Sequence, residues 1–129
     1  MPIRYEKHIT RAMLQAEPHA LWVFGDNLLR KGYGGQAKEM RGEPNAVGIA
    51  TKRKPALTPD AFFSDADVDT FVRHAKPVFE RLGDHLRNGG TVVLPEDGIG
   101  TGRAQLRERA PAVWNELEGA LKGLEAIGN

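Results

Sequence analysis

Two short apolar segments of this chain each run straight into a glycine-rich loop, and this arrangement constrains the fold more than any other feature. The first segment is Leu21–Phe24, which ends at Gly25 and leads into the first glycine-rich loop at residues 32–35. The second is Thr91–Leu94, which ends at Pro95 and leads into the second glycine-rich loop at residues 98–102. Short apolar segments bounded by turn residues are typical of strands buried on both faces of a sheet. A buried sheet with a glycine-rich loop at the end of two of its strands is therefore predicted.

Helix and strand patterns alternate along the rest of the chain. Ala46–Ala50 predicts another strand, and Gly35–Arg41 predicts a short helix. A long amphipathic helix is predicted to begin near Ser64, with Pro77 kinking or splitting it, and a last helix is predicted over about residues 109–124. This alternation predicts an α/β fold with a mixed, mainly parallel sheet covered by helices. Ligands of such sheets bind outside the carboxyl ends of the strands, where both loops are predicted to lie.

Length and composition narrow the class of protein. The 129 residues suit a single domain over residues 1–129, and with no cysteine the chain has neither a disulfide nor a thiolate metal site. The four histidines show no metal-ligand spacing, so no metal and no cofactor is predicted. A formal charge of +1 disfavours a protein that binds nucleic acid mainly through its phosphates. No apolar run approaches the ~18 residues of a membrane span, and the first residues do not resemble a secretory signal. A cytoplasmic protein with no membrane partner is therefore predicted.

The glycines of the two loops suit the binding of an anion. Glycine lets backbone N–H groups approach phosphate oxygens without a side-chain clash, and the start of a following helix adds partial positive charge. The alternative is that these glycines only make tight turns. Neither a P-loop nor the GxGxxG pattern of dinucleotide-binding enzymes is present, since the second loop reads GIGTG. The candidate ligand-binding residues in the loops are Tyr33, Gly34, Gly35, Gly98, Ile99, Gly100, Thr101 and Gly102.

Polar residues beside the predicted strand ends are further candidates for the site. Asp26 and Asn27 can read adenine or ribose hydroxyls, or they can form an Asx turn that ends the strand. Lys52 can pair with a phosphate or act as an amine nucleophile, or it can belong to a solvated basic turn. Glu96 and Asp97 offer a general base or a water-positioning group, or a charged turn. Tyr33 can stack on a ligand ring or anchor its loop.

The segments that contain these residues resemble motifs of the macrodomain family, which binds ADP-ribose. The segments VFGDNLLRKGYGGQA and VVLPEDGIGTG are similar to the two strand-and-loop motifs of that family, and the resemblance spans roughly residues 20 to 124. It implies a three-layer α/β/α sandwich. It also implies that Asn27 contacts a ribose, that Gly34 and Gly35 belong to the catalytic loop, and that the second loop holds the diphosphate. The nearest branch includes the terminal ADP-ribose protein glycohydrolase and the DarG-type antitoxins, whose lysine is matched by Lys52 in IATK.

One position departs from that branch. Its glycohydrolase has a catalytic aspartate two residues beyond the last glycine of the second loop, where this chain has Ala104. The resemblance therefore implies binding of ADP-ribose or an ADP-ribosyl group, with hydrolysis of an ADP-ribosyl linkage on protein or nucleic acid by Lys52, Asn27 and Asp97 as one hypothesis. The alternative is a non-catalytic module that reads or sequesters an ADP-ribose-derived or NAD-derived signal. A third hypothesis, a nucleic-acid-binding domain, would use the basic residues Arg30, Lys31, Lys52, Arg53 and Lys54.

Overall fold

The chain folds around one four-stranded sheet with helices between its strands. The structure is a computed structural model, and it describes residues 2–100 and 104–128. The strands, in chain order, are β1 (Ile3–Glu6), β2 (Leu21–Asn27), β3 (Ala46–Lys52) and β4 (Val92–Pro95). The helices are α1 (Arg11–Ala16), α2 (Ala37–Met40), α3 (Val68–Arg87), α4 (Leu106–Arg109) and α5 (Pro111–Gly128), with 3₁₀ turns at Pro59–Ala61 and Asp65–Asp67. The predicted α/β class is confirmed.

The sheet is parallel throughout the described strands, whereas the sequence predicted a mixed, mainly parallel sheet. The strand order is β1-β4-β2-β3, and each neighbouring pair is parallel. A helix lies between each strand and the next along the chain, and such a connection returns the chain to the edge where the previous strand began. Among the described residues, antiparallel pairing is confined to an isolated bridge between Lys52 and Phe62. The ends of β2, β3 and β4 therefore share one edge of the sheet, called the carboxyl edge below.

Two strands extend further than the sequence predicted. Strand β2 includes Gly25, Asp26 and Asn27, which were expected to end it, and β3 continues to Lys52. The extended parts of β2 and β3 pair with each other in parallel, with a register shift between Asp26 and Asn27. Pairing with a neighbouring strand therefore outweighs the local preference of glycine, aspartate and asparagine for turns. As a result the sheet itself holds the polar side chains of Asp26 and Asn27 in place.

Alternate residues of β2 enter two different apolar clusters. Leu21 and Val23 pack in the cluster that contains α3 and α5, whereas Trp22 and Phe24 pack in the cluster that contains α1 and α2. This division follows from the two-residue period of a strand, which directs successive side chains to opposite faces. Trp22 has no exposed surface, as expected for a core residue.

Two helix predictions change in the structure. Helix α3 runs unbroken through Pro77, whose ring lies on the exposed side, so the proline does not split the helix. The last helix, predicted over about residues 109–124, is α5, which begins at Pro111 and continues to Gly128. The short α4 before it ends at Arg109, because Ala110 precedes a proline and leaves the helical conformation, with φ −146° and ψ 67°. Ser64 and Asp67 form a capping box before α3, in which the Ser64 N–H donates to the Asp67 carboxylate at 2.7 Å. Within the described ranges, no helix has the length and apolar character needed to cross a membrane.

Candidate functional site

A cleft of about 450 Å³ lies at the carboxyl edge of the sheet. Its walls are the two glycine-rich loops, the ends of β2 and β3, and the segment Pro55–Leu57. Most of the residues predicted from the sequence line this cleft: Asp26, Asn27, Tyr33, Gly34, Gly35, Lys52, Asp97, Gly98, Ile99 and Gly100. Thr101 and Gly102 lie outside the described residues. The tertiary structure thus brings together two loops that are more than 60 positions apart in the sequence.

The first glycine-rich loop packs under the segment Pro55–Leu57. Gly32 has a φ of +91°, and a Cβ atom added there would lie 2.8 Å from the Cβ of Pro55. Only glycine suits such a position, because it accepts a positive φ and leaves room for the neighbouring chain. Tyr33 lines the cleft with 67% of its surface exposed, so it does not anchor the loop by burial.

Backbone N–H groups of both loops are available to an anion. In the part of the chain that the structure describes, the N–H groups of Gly34, Gly35, Ile99 and Gly100 have no acceptor. Gly98 differs, because its N–H donates to the Pro95 carbonyl at 3.0 Å. Helix α2 has four residues, so the helix dipole predicted to assist the first loop is short. The capacity of the loops to bind an anion therefore comes from individual amides.

Asp26 is buried and held by two arginines. Its side chain is 4% exposed, and it accepts hydrogen bonds from Arg41 at 2.5 Å and from Arg30 at 3.3 Å. The Asn27 N–H also donates to it at 2.8 Å. Gly48 on β3 leaves room for the carboxylate, since a Cβ there would lie 2.7 Å from Asp26 Oδ2. No pattern in the sequence indicated Arg41, which lies 15 positions from Asp26 and becomes its partner only in the folded chain.

Asn27 closes the entrance of the first glycine-rich loop. Its side-chain oxygen accepts from the Leu29 N–H at 3.1 Å, which is the Asx-turn arrangement, and its amide group donates to the Lys31 carbonyl at 2.8 Å. The residue is 6% exposed and borders the cleft. Asn27 thus shapes the loop and is also within the site.

Lys52 is buried at the end of β3, which excludes the solvated turn as its setting. Its residue surface is 9% exposed, and its Nζ donates to the Ala56 carbonyl. The Nζ also lies 4.8 Å from the centroid of the Phe62 ring, and the guanidinium carbon of Arg109 lies 3.7 Å from the same centroid. The Lys52 amine is therefore placed by the segment that follows its own strand.

The acidic residues after β4 separate in space. Asp97 is exposed and lines the cleft, where it has contacts within the chain. Glu96 pairs with Lys7 at 3.7 Å and is not among the cleft residues. Ala104 lines the cleft and is 6% exposed, so an apolar methyl group stands at the position where the resemblance noted in the sequence would place an aspartate. Among the described residues, Asp26 and Asp97 supply the carboxylates of the cleft.

Three of the five basic residues proposed as a nucleic-acid surface have acidic partners, and one of them is Arg30, which pairs with Asp26. Arg53 pairs with Asp67, and Lys54 pairs with Asp60, each at 2.6 Å. The hydrogen bond from Lys54, together with one from Thr58, lowers the pKa of Asp60 to about 2. Such internal pairing reduces the positive potential that these side chains offer to phosphates.

Comparisons with known proteins do not supply a function. The chain has no significant match among curated proteins or among solved structures. Residues 4–120 match the model of DUF7831, a family of unknown function.

Proposed function

Because this chain belongs to the DUF7831 family, whose function is unknown, we propose its function from the cleft: it binds ADP-ribose or an ADP-ribosyl group. The observation that carries this proposal is the meeting of both glycine-rich loops with Asn27 and Lys52 in one cleft at the carboxyl edge of a parallel sheet. Crevices at this edge are where α/β sheets bind their ligands. The resemblance to macrodomains supplies the identity of the ligand.

The proposed fold is the three-layer α/β/α sandwich of that family. Its support is the division of the apolar residues into two clusters, one with α3 and α5 and the other with α1 and α2. Strand β2 contributes side chains to both clusters. A sheet between two helical layers has this pattern of burial.

The volume of the cleft and the groups that line it suit a nucleotide with a diphosphate. A volume of about 450 Å³ falls within the range of about 300–1,000 Å³ that is usual for small-molecule sites. The amides of Gly34, Gly35, Ile99 and Gly100 can donate to phosphate oxygens. The exposed ring of Tyr33 can stack on a base or cover a ribose.

Hydrolysis of an ADP-ribosyl linkage on protein or nucleic acid is the catalytic version of this proposal. Asn27 would orient the distal ribose. Lys52 would either attack the anomeric carbon or stabilise it for attack by water; in both cases the bond from that carbon to the modified macromolecule breaks, and the leaving group takes up the proton that the attacking amine or water releases. Asp97 would take a proton from the incoming water, because it is the exposed carboxylate of the cleft. In this version nucleic acid takes part only as a modified substrate.

A non-catalytic module that reads or sequesters an ADP-ribose-derived or NAD-derived signal is the second candidate. The observation that favours it is Ala104, whose methyl group lines the cleft where a catalytic carboxylate is expected. Lys52 donates to the Ala56 carbonyl, so its amine already makes a structural contact with the segment that follows β3.

Calorimetry and a release assay separate these possibilities. Binding of ADP-ribose with a micromolar Kd is expected, and no binding of ADP-ribose or NAD at millimolar concentration would reject both versions. The protein is then incubated with ADP-ribosylated protein and with ADP-ribosylated DNA. Release that is lost in Lys52→Met and Asp97→Asn, but kept in Lys122→Met on the exposed side of α5, supports the enzyme. Tight binding without release from either substrate supports the non-catalytic module.

A further inference from the structure

Arg41 connects the first glycine-rich loop to the sheet. It follows α2, and its side chain is 15% exposed. Its Nε donates to the Gly32 carbonyl at 2.7 Å, and its Nη2 donates to the Lys31 carbonyl at 3.1 Å. The same guanidinium donates to both carboxylate oxygens of Asp26, at 2.5 and 3.3 Å. One side chain therefore joins β2 to two successive carbonyls of the loop.

An arginine is needed for this arrangement because of its shape. The guanidinium is a planar fork with five N–H donors, whereas the ammonium group of lysine is a compact charge on a flexible stem. The four hydrogen bonds of Arg41 go to acceptors on both sides of the fork, at Asp26 and at the loop carbonyls. A lysine at this position can pair with Asp26 or with the loop, but it cannot hold both in the same geometry.

The Lys31 and Gly32 carbonyls, which Arg41 holds, come directly before the loop amides that face the cleft. The Lys31 carbonyl also accepts from the Asn27 side chain at 2.8 Å, so two side chains hold the entrance of the loop. Tyr33, Gly34 and Gly35 follow directly, and glycine has more backbone freedom to lose than any other residue. Without a tether at Lys31 and Gly32, the N–H groups of Gly34 and Gly35 would have no defined direction.

We propose that Arg41, held by Asp26, is a positioning residue that orders the first glycine-rich loop so that its amides can bind an anionic group in the cleft. The identity of that anion, a phosphate of ADP-ribose, rests on the proposed function, whereas the ordering of the loop does not. The hydrogen bonds of Arg41 are directed at protein acceptors, so its effect on the ligand is exerted through the loop.

The test compares Arg41→Lys with Arg30→Lys, which is a matched control. Arg30 also contacts Asp26, at 3.3 Å, but its other contact is the Gly48 carbonyl on β3 rather than the loop. The backbone order parameters of Gly34 and Gly35 are measured by NMR relaxation without ligand. We expect values of about 0.85 in the wild type and in Arg30→Lys, and values below about 0.6 in Arg41→Lys. We also expect Arg41→Lys to bind ADP-ribose about tenfold more weakly, the loss of roughly one hydrogen bond, and Arg30→Lys to bind it like the wild type.

The two readouts distinguish the inference from the proposed function. Unchanged order parameters in Arg41→Lys would overturn the positioning role, whatever happens to affinity, and a loss of affinity with an ordered loop would indicate direct contact with the ligand. If the wild type does not bind ADP-ribose, the proposed function fails and the order parameters alone decide the inference. If Arg41→Lys does not fold, the double variant Asp26→Asn, Arg41→Gln removes both charges together, and the same loss of order is expected.

Discussion

A methyl group at position 48 tests how closely Asp26 is confined. Gly48 lies in β3, opposite Phe24 of β2, and its φ is not positive, so alanine is compatible with the backbone. The added Cβ of Gly48→Ala would lie 2.7 Å from Asp26 Oδ2 and 3.0 Å from Asp26 Cβ. The carboxylate has little freedom to move away, because its side chain is 4% exposed and Arg41 holds it at 2.5 Å.

The expected cost follows from the terms that the substitution changes. Overpacking of this kind costs about 1–3 kcal/mol, and a weakened charge-assisted hydrogen bond between Asp26 and Arg41 adds about 1.5–3 kcal/mol. The reduced freedom of alanine in the unfolded chain offsets about 0.4–1 kcal/mol of that cost. Gly48→Ala should therefore lower the free energy of unfolding by roughly 2–5 kcal/mol, which corresponds to a drop in Tm of about 10–20 °C for a domain of this size.

Gly25→Ala is the control, because Gly25 is also a strand glycine beside the same cleft. The nearest atom to a Cβ there is the Thr51 Oγ1 at 3.6 Å, an ordinary contact. Its free energy of unfolding should stay within about 0.5 kcal/mol of the wild type. Urea denaturation followed by circular dichroism measures both variants, with the m-value checked for a change in the unfolded state. The reasoning is refuted if Gly48→Ala is as stable as Gly25→Ala.

Three further predictions concern the helices and the surroundings of Lys52. Burial raises the pKa of Asp67, but hydrogen bonds, among them the one from Arg53, lower this pKa below its usual value in the folded protein. The stability that the ionised Asp67 contributes is therefore present above about pH 4 and is lost as the pH falls through the folded-state pKa. Asp67→Asn should be less stable than the wild type by about 1 kcal/mol at pH 7, and urea midpoints of the two proteins that do not converge at low pH would contradict this. Pro77→Ala should raise the free energy of unfolding by roughly 1–2 kcal/mol, because the exposed Pro77 ring prevents a hydrogen bond inside α3, and thermal unfolding with no gain would count against that cost. Phe62→Leu keeps an apolar side chain but removes the aromatic ring that contacts Lys52 and the Arg109 guanidinium. The free energy of unfolding in urea should fall by about 1–2 kcal/mol, and an unchanged midpoint would show that the ring contributes only its bulk.

Local patterns predicted the elements whose own residues carry a clear signal. The apolar run of Leu21–Phe24 indicated β2, and the regular apolar spacing after Ser64 indicated α3. The position of both glycine-rich loops at one edge also followed, because parallel strands end at the same edge. By contrast, β1 and α1 were not predicted, since each is short, and β1 lies at the edge of the sheet with Ile3 as its one buried residue. Their burial depends on neighbours that are distant in sequence.

The candidate site divides in the same way. The sequence indicated the candidate residues Asn27, Lys52 and the loop glycines, because they lie beside the ends of predicted strands. The sequence did not indicate the partners or the burial of each side chain. Asp26 pairs with Arg41, which lies 15 positions further along the chain. Lys52 is buried because the segment that follows its strand folds back over it.

The sequence by itself determined an α/β chain with two glycine-rich loops that follow predicted strands, because periodicity and turn residues act over a few positions. The tertiary structure decided which polar groups are available in that cleft. It directed the carboxylate of Asp26 to Arg41, used the N–H of Gly98 in a turn, and left the amides of Gly34, Gly35 and Ile99 without acceptors among the described residues. The physical reason is that hydrogen bonds and ion pairs depend on which groups folding brings within about 3 Å of each other, whatever their separation along the chain.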